Sequence, residues 1–287
     1  MNNRLVTVVG ATGTHGRGIA KLLLKSGWRV RGVCRNVGND NASALKALGA
    51  ELVSADLDNR NAVNDAIKGS DAVVSIIASL QNHHDIGQAT QGIHVAEAAA
   101  LAEVKHFVYS AVLNPTPGIM GHGSKLAIIE RIHELGLPAT VLKPCFFMDN
   151  LLTHFPVQMQ NGAAVVALPF PPETTLQLIA VDDIARAAAT VLNAPDQYIG
   201  KSLDLIGDQR TIQQMVDIIG KVTGKPAVAA TIPLAALAQG WPQGVPMLKL
   251  LTKGGQHGDT AMLGKLIGKP TDFAAWVRET LAPKLNN

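Results

Sequence analysis

The stretch Val6-Thr7-Val8-Val9-Gly10-Ala11-Thr12-Gly13-Thr14-His15-Gly16-Arg17-Gly18-Ile19-Ala20 decides the fold. A run of strand-forming residues stops at Gly10. Glycines recur at 10, 13 and 16, and Ile19, Leu22 and Leu23 then fall at helical spacing until Ser26-Gly27. Strand, glycine turn and helix, in that order, suit a diphosphate. Residues without a Cβ let the backbone turn tightly and come close to phosphate oxygens. The amino end of the new helix offers free N–H groups and the positive end of its dipole. Gly16 would also let the helix lie close against the strand. The spacing is G-x-x-G-x-x-G rather than G-x-G-x-x-G, but its place between a hydrophobic strand and an amphipathic helix predicts a phosphate-binding turn over a merely structural one.

The same alternation continues down the chain. Strands are expected at residues 28–34, 51–54, 71–77, 106–110 and 139–142, with helices at 43–48, 59–67, from about 86 to 100, and 124–135. The fourth strand is nearly all apolar, as expected when both sheet faces are covered. Alternating strands and helices imply a doubly wound parallel sheet with right-handed crossovers. Past about residue 150 the rhythm changes, with Pro169, Pro171 and Pro172 and more isolated elements. Residues 1–150 therefore form a nucleotide-binding domain, to which a segment at about 176–206 returns. Residues 151–287 form a smaller α/β lobe for substrate or partner. An aspartate of Asp182-Asp183 is expected to cap the helix that follows.

Composition narrows the function classes. Of 287 residues 47% are apolar and 16% charged, with a net charge of +3, so a large core is available and no basic run marks a nucleic-acid partner. The two cysteines, Cys34 and Cys145, stand in no C-x-x-C spacing and read as small buried residues. No His/Cys/Asp set has metal-ligand spacing. No stretch reaches the roughly 18 apolar residues of a membrane helix and no signal peptide opens the chain, so the expectation is a soluble cytoplasmic protein without a membrane partner.

Particular side chains refine this. An Asp or Glu after the second strand usually takes the ribose hydroxyls of NAD. Here Arg35 stands at that place, and a guanidinium pairs bidentately with a 2′-phosphate, which favours NADP(H). Asp56-Leu57, after the third strand, borders the adenine, and Asp58 reads as a helix cap. Lys125 falls in the first turn of its helix on the stripe of Ile129 and Ile132, the side that faces the sheet. A lysine there opposes the helix dipole and needs a partner, which a nicotinamide ribose or a reacting carbonyl would supply. His122, His83 and His84 are candidate proton donors, His122 foremost because it lies three residues from Lys125. Phe146, Phe147 and Met148 fit a wall for a flat acceptor or core packing equally well.

Together with the glycine stretch, Val104-Lys105-His106-Phe107-Val108-Tyr109-Ser110, Ser124-Lys125 with Glu130, Gly136-Leu137-Pro138, Lys143-Pro144-Cys145-Phe146-Phe147-Met148-Asp149-Asn150 and Ile179-Ala180-Val181-Asp182-Asp183-Ile184-Ala185 resemble the NmrA-like family of atypical short-chain dehydrogenases/reductases. The resemblance implies a Rossmann domain binding NADP(H). Gly10, Thr12, Gly13, Thr14, His15 and Gly16 would surround the phosphates and Arg35 would take the 2′-phosphate. Ile77, Ala78 and Ser79 would flank the ribose, and Pro144 to Phe147, Phe146 included, the nicotinamide. Active short-chain dehydrogenases carry Tyr-x-x-x-Lys, whereas the residue four before Lys125 is Gly121. Branches that keep the lysine without the tyrosine include reductases of quinones or other conjugated acceptors and regulators that bind dinucleotide and act on a protein partner. The sequence leans toward an NADPH-dependent reductase with Lys125 as electrostatic support or acid. It leaves the acceptor and the oligomeric state open.

Overall fold

The computed structural model of the chain describes residues 4–77, 85–119, 121–255 and 257–285. The chain alternates through β1 (Leu5–Val9), α1 (Thr14–Lys25), β2 (Arg29–Cys34), α2 (Asp40–Ala47), β3 (Glu51–Ser54), α3 (Arg60–Ile67), β4 (Ala72–Ile76), α4 (Asp85–Leu101), β5 (His106–Ser110), α5 (His122–Glu134) and β6 (Ala139–Pro144). There follow β7 (Phe146–Phe147), β8 (Gln158–Gln160), β9 (Ala163–Leu168), β10 (Thr175–Ile179), α6 (Val181–Asn193), α7 (Pro195–Tyr198), β11 (Ser202–Leu205), β12 (Asp208–Thr211), α8 (Ile212–Thr223) and β13 (Ala227–Thr231), then short helices to residue 285. Two compact units result. One comprises Met1–Lys143 and Ile184–Leu203, the other Pro144–Asp183 and Asp204–Asn287.

The first unit is built on a seven-stranded sheet in the order β11-β6-β5-β4-β1-β2-β3. The pairs β1–β2, β1–β4, β2–β3, β4–β5 and β5–β6 are all parallel. Strand order reverses direction at β1, between β2 and β4, so the crevice at the end of β1 is the switch point where such sheets take ligands. Every residue of β1 is buried, as a central strand covered on both faces requires. One face packs Val9, Val73, Phe107, Tyr109 and Val141 against Val95, Ala99, Ile128 and Ile132 of the helices. Two helix starts differ from expectation. Asn59, rather than Asp58, caps α3 by accepting from the Asn61 and Ala62 amides. The second helix begins earlier than residue 43 because Asn39 caps it through the Ala42 amide, 2.9 Å away.

The second unit holds two three-stranded sheets, β12-β10-β7 and β13-β9-β8, over a core that includes Met148, Phe170, Leu178, Met215, Phe273 and Trp276. Its boundary falls at residues 143/144, and the segment that returns to the first unit is 184–203, narrower than 176–206. The reason is β10, which pairs antiparallel with β12 and parallel with β7 in a sheet of its own. The capping expectation for α6 is also corrected. Asp149 supplies the carboxylate, taking the Val181 amide at 3.1 Å. Asp183 is instead fully buried and accepts from the amide and hydroxyl of Thr271, at 2.6 and 3.1 Å. Among the described residues no helix is long and apolar enough to cross a membrane, and no group of His, Cys, Asp and Glu could hold a metal ion.

Buried His106 on β5 bonds through Nε2 to the Thr140 hydroxyl oxygen at 2.8 Å. That hydroxyl donates to the Tyr198 carbonyl at 2.8 Å, so the imidazole donates and carries its proton on Nε2. Burial lowers its pKa to about 4. The unfolded chain, with His106 near 6.5, then binds more protons between those values. Stability from this residue is full above pH 6.5 and is lost as pH falls toward 4, by about 3 kcal/mol. Urea titrations at pH 7 and pH 4.5 on wild type and His106→Gln should show the smaller pH dependence in the variant. A second prediction concerns α1. A Cβ on Gly16 would meet the Gly10 carbonyl oxygen at 2.2 Å, while one on Gly13 would meet it at 3.5 Å. Gly16→Ala should cost about 1–3 kcal/mol in urea unfolding, and Gly13→Ala under about 1 kcal/mol.

Candidate functional site

The site begins where β1 ends. Gly10 adopts φ +77°, open to glycine at little cost, and a Cβ there would lie 2.7 Å from the Ile76 carbonyl oxygen. The amides of Gly10 and Ala11 both donate to the Val33 carbonyl, at 3.1 and 3.3 Å, and fasten the turn to β2. Helix α1 then starts after an extended Gly13 with no side-chain cap and no acidic residue in its first turn. Its amino end is therefore neither capped nor neutralised by the chain itself, which is the arrangement an anion stabilises. Gly13 and Thr14 are exposed, Thr12 and His15 half-buried. Two side chains brace this turn. Asn41 of α2 donates to the Thr12 carbonyl at 3.1 Å and accepts from the Arg17 guanidinium.

Lys125 is only 7% exposed, so it does not snorkel to water. Gly121, at φ +79°, turns the chain into α5, whose buried stripe is Lys125, Ile128 and Ile132. Ile128 takes the place expected of Ile129, which is half-buried. The Lys125 ammonium donates to the Ile77 carbonyl at 2.7 Å and lies 5.9 Å from the centre of the Tyr109 ring. Ile77 directly follows Ile76, against whose carbonyl Gly10 is pressed. The cation thus reaches the end of β4 beside the glycine turn. Its charge is felt at His15, whose pKa falls to about 4, by burial first and by Lys125 second. His15 is consequently neutral at pH 7. Tyr109 is buried in β5, and burial pushes its hydroxyl far above the ordinary tyrosine range.

His122 does not stand free as a proton donor. It is 3% exposed, and its Nδ1 accepts the Thr116 amide at 3.0 Å, which places the ring proton on Nε2. Protonating Nδ1 would break that bond, so the residue clips the loop before α5 to the helix. Arg35 follows β2 directly and is exposed. The turn after it is ordered by Asn36, which accepts from the Gly38 amide and, through its carbonyl, from Asn39, each at 2.8 Å. Asp56 is exposed, its carboxylate accepting the Asp58 amide at 3.1 Å. Helix α4 grips that turn, since His94 Nδ1 donates to the Leu57 carbonyl at 2.8 Å and Gln91 to the Asp58 carboxylate at 3.1 and 3.2 Å. Asn41, Gln91 and His94 carried no motif in the sequence; their roles depend on side-chain reach between helices. Ala78, Ser79, His83 and His84 lie outside the described residues.

Within the second unit Pro144 is buried, while Phe146 and Phe147 are half-buried. Phe146 stacks on Phe155 at 6.5 Å and meets Phe170 edge-on at 6.2 Å, so it belongs in part to that unit's core. Burial raises the pKa of both Cys34 and Cys145, keeping them as thiols.

The NmrA-like family profile matches residues 2–259. The chain belongs to the NmrA-like family. Among its relatives, Quinone oxidoreductase 2 of Escherichia coli (strain K12) is 27% identical over 286 residues, covering 94% of this chain and 96% of that protein. An NmrA-like family domain-containing protein of Dictyostelium discoideum is 24% identical, covering 78% of each chain. Among solved structures, Citrobacter sp. triphenylmethane reductase complexed with NADP(H) aligns with a TM-score of 0.78 at 22% identity, over 98% of this chain and 99% of that one. NmrA, a negative transcriptional regulator in complex with NAD, aligns at 0.83 and 17%, over 100% and 98%. This NmrA-like chain therefore shares one fold with a reductase and with a regulator.

The coupling of Lys125 to His15 is directly measurable. In Lys125→Met the His15 midpoint, followed by imidazole NMR, should rise from about 4 yet stay below 6.5, because burial remains. An unchanged midpoint would place the ammonium too far away to act.

Proposed function

We propose that this NmrA-like protein is an NADPH-dependent reductase of a quinone or similar conjugated acceptor. The observation that carries the reading is the glycine turn, open to an anion at an uncapped helix start, beside the buried Lys125 cation. The coenzyme fits this chain because Gly10 and Gly16 leave no room for a Cβ and so admit close backbone approach. Gly10, Thr12, Gly13, Thr14, His15 and Gly16 would hold the diphosphate, and Arg35 the 2′-phosphate. Asp56 and Leu57 would border the adenine. Ile77 with Ala78 and Ser79 would flank the ribose, and Pro144, Phe146 and Phe147 the nicotinamide. When bound, NADPH supplies a hydride. Lys125 stabilises negative charge that appears on an acceptor oxygen, and its bond to the Ile77 carbonyl fixes the ammonium for that task. His122 orders the loop leading into α5 and thereby the placement of Lys125. The likeness to a quinone oxidoreductase along nearly the whole of both chains supports a quinone-like acceptor.

A redox-sensing regulator acting through a protein partner is the second reading, favoured by Gly121. That residue stands four before Lys125 with a left-handed backbone, where a tyrosine would be strained. The ordinary tyrosine acid is thus excluded by conformation as well as by identity, and buried Tyr109 does not replace it.

Mixing the protein with NADPH and a panel of quinones should oxidise the coenzyme, read at the reduced nicotinamide absorbance band. Tight NADPH binding with no oxidation by any acceptor would turn the assignment to the regulator. Arg35→Ala should lower the preference for NADPH over NADH about tenfold or more, as expected for a lost guanidinium–phosphate pair. Equal preference in parent and variant would remove Arg35 from the cofactor site.

A further inference from the structure

We infer that the outer face of the β8–β9 hairpin carries a ligand site of its own, one that takes a neutral one-ring phenol such as hydroquinone. The inference does not rest on the reductase reading, because every residue lining the site lies in the second unit and none is assigned to the coenzyme. The hairpin is tight. β8 ends at Gln160, β9 begins at Ala163, and Asn161 and Gly162 turn between them with φ of +49° and +79°. Along β9, Ala164, Val166 and Leu168 belong to the unit's core, so Val165 and Ala167 lie on the opposite face, where they stay only half-buried. Gln158 pairs directly with Val165 and shares that face. The segment before β8 is pinned by the Phe155 amide on the Asn150 carbonyl at 2.8 Å and by the Val157 amide on the Leu151 carbonyl at 3.0 Å. His154, Phe155 and Pro156 thereby border the same face, and with Ile232 they enclose a cavity of about 160 Å³.

The lining selects the occupant. A cavity of about 150 Å³ in an apolar core accommodates benzene, so this one has room for a single six-membered ring and not for a coenzyme. No acid, lysine or arginine lines it, so neither an anion nor a cation finds its counter-charge there. Val165 and Ala167 supply a floor of small apolar groups and Phe155 an aromatic wall, surfaces that a flat ring covers better than a puckered one. Hydrogen-bonding capacity sits beside them. The Gln160 side-chain amide donates to that of Gln158 at 3.3 Å, which leaves the Gln158 nitrogen as a donor and the Gln160 oxygen as an acceptor. His154 engages the Thr153 hydroxyl through Nδ1 at 3.0 Å and keeps Nε2 for a further bond. A phenolic hydroxyl both donates and accepts and so answers this mixed set, which a plain hydrocarbon does not. Phe155 also stacks on Phe146, with 6.5 Å between ring centres and 21° between planes, so a ring seated against Phe155 bears on Phe146 as well.

The test is an NMR titration of the labelled full chain, without coenzyme, using hydroquinone kept reduced under argon. Methyl signals of Val165, Ala167 and Ile232 and ring signals of Phe155 should shift together to saturation, with the Phe146 ring following. Cyclohexanediol has comparable hydroxyls on a puckered ring, and para-hydroxybenzoate adds a charge; each should bind at least about fivefold more weakly. Ala167→Phe places a ring in the cavity from a half-buried strand position and should weaken hydroquinone binding at least about tenfold. Gln158→Leu should weaken it about threefold, as for one lost neutral hydrogen bond. If Ala167→Phe does not fold, the wild-type shifts and Gln158→Leu decide. No saturable shift at these residues, equal binding of cyclohexanediol, or unchanged affinity in the variants would overturn the inference. So would shifts confined to the amides of Gly13, Thr14, His15 and Gly16, because hydroquinone would then enter only the crevice proposed for the coenzyme. Saturable binding at the hairpin by a protein that oxidises NADPH with no acceptor would support this site and overturn the reductase reading alone.

Discussion

The closeness of Gly16 to the Gly10 carbonyl is the constraint from which the site follows. It brings the first turn of α1 against the end of β1 and leaves the helix start uncapped and open. The same economy of space recurs at Gly10 against Ile76 and at Gly92, whose missing Cβ makes room for Ile128 and Ile77. Gly92 lets α4 and α5 approach, and α5 in turn delivers Lys125 to the Ile77 carbonyl. The glycines thus set the spacing of both helices that bear charge or dipole on the crevice. A bulkier side chain at any of them would move a charge-bearing element by more than a hydrogen bond tolerates.

Electrostatically the crevice is a cation held ready. Lys125 gives up water for contacts that include the Ile77 carbonyl and the Tyr109 ring face. An anion at the α1 start would be attracted by this ammonium, with the helix dipole adding in the same sense. His15 responds to the ammonium in part, its proton affinity being lowered first by burial and second by Lys125. Fold likeness alone does not separate reductase from regulator, since proteins described as each share this architecture. The separation lies in whether charge arising on a substrate meets Lys125.

Much of the first unit was legible in the sequence because its signals are local. The Gly10–Gly13–Gly16 spacing, the apolar run of β4 and the stop at Gly136 each act through backbone geometry within a few residues. Local reasoning failed where side chains reach across the fold. Asp183 looked like a cap and is a buried acceptor for Thr271, because Asp149 arrives from 32 residues upstream to take the Val181 amide. His122 looked like a free acid and is a clip, because the loop at Thr116 folds back on it. Periodicity located the inward stripe of α5 but gave it to Ile129 rather than Ile128, within the tolerance of a 3.6-residue repeat. The strand order and pairing of the second unit's small sheets were not legible, for short strands of mixed pairing carry no periodic signature.

The central claim is that a coenzyme diphosphate sits on the α1 start beside Lys125. Amide NMR of the uniformly labelled protein, titrated with NADPH, tests it most directly. The account predicts that the Gly13, Thr14, His15 and Gly16 amides shift most, in step with one another and to saturation. Saturable binding that leaves those four amides unmoved, or no binding at all, would contradict it.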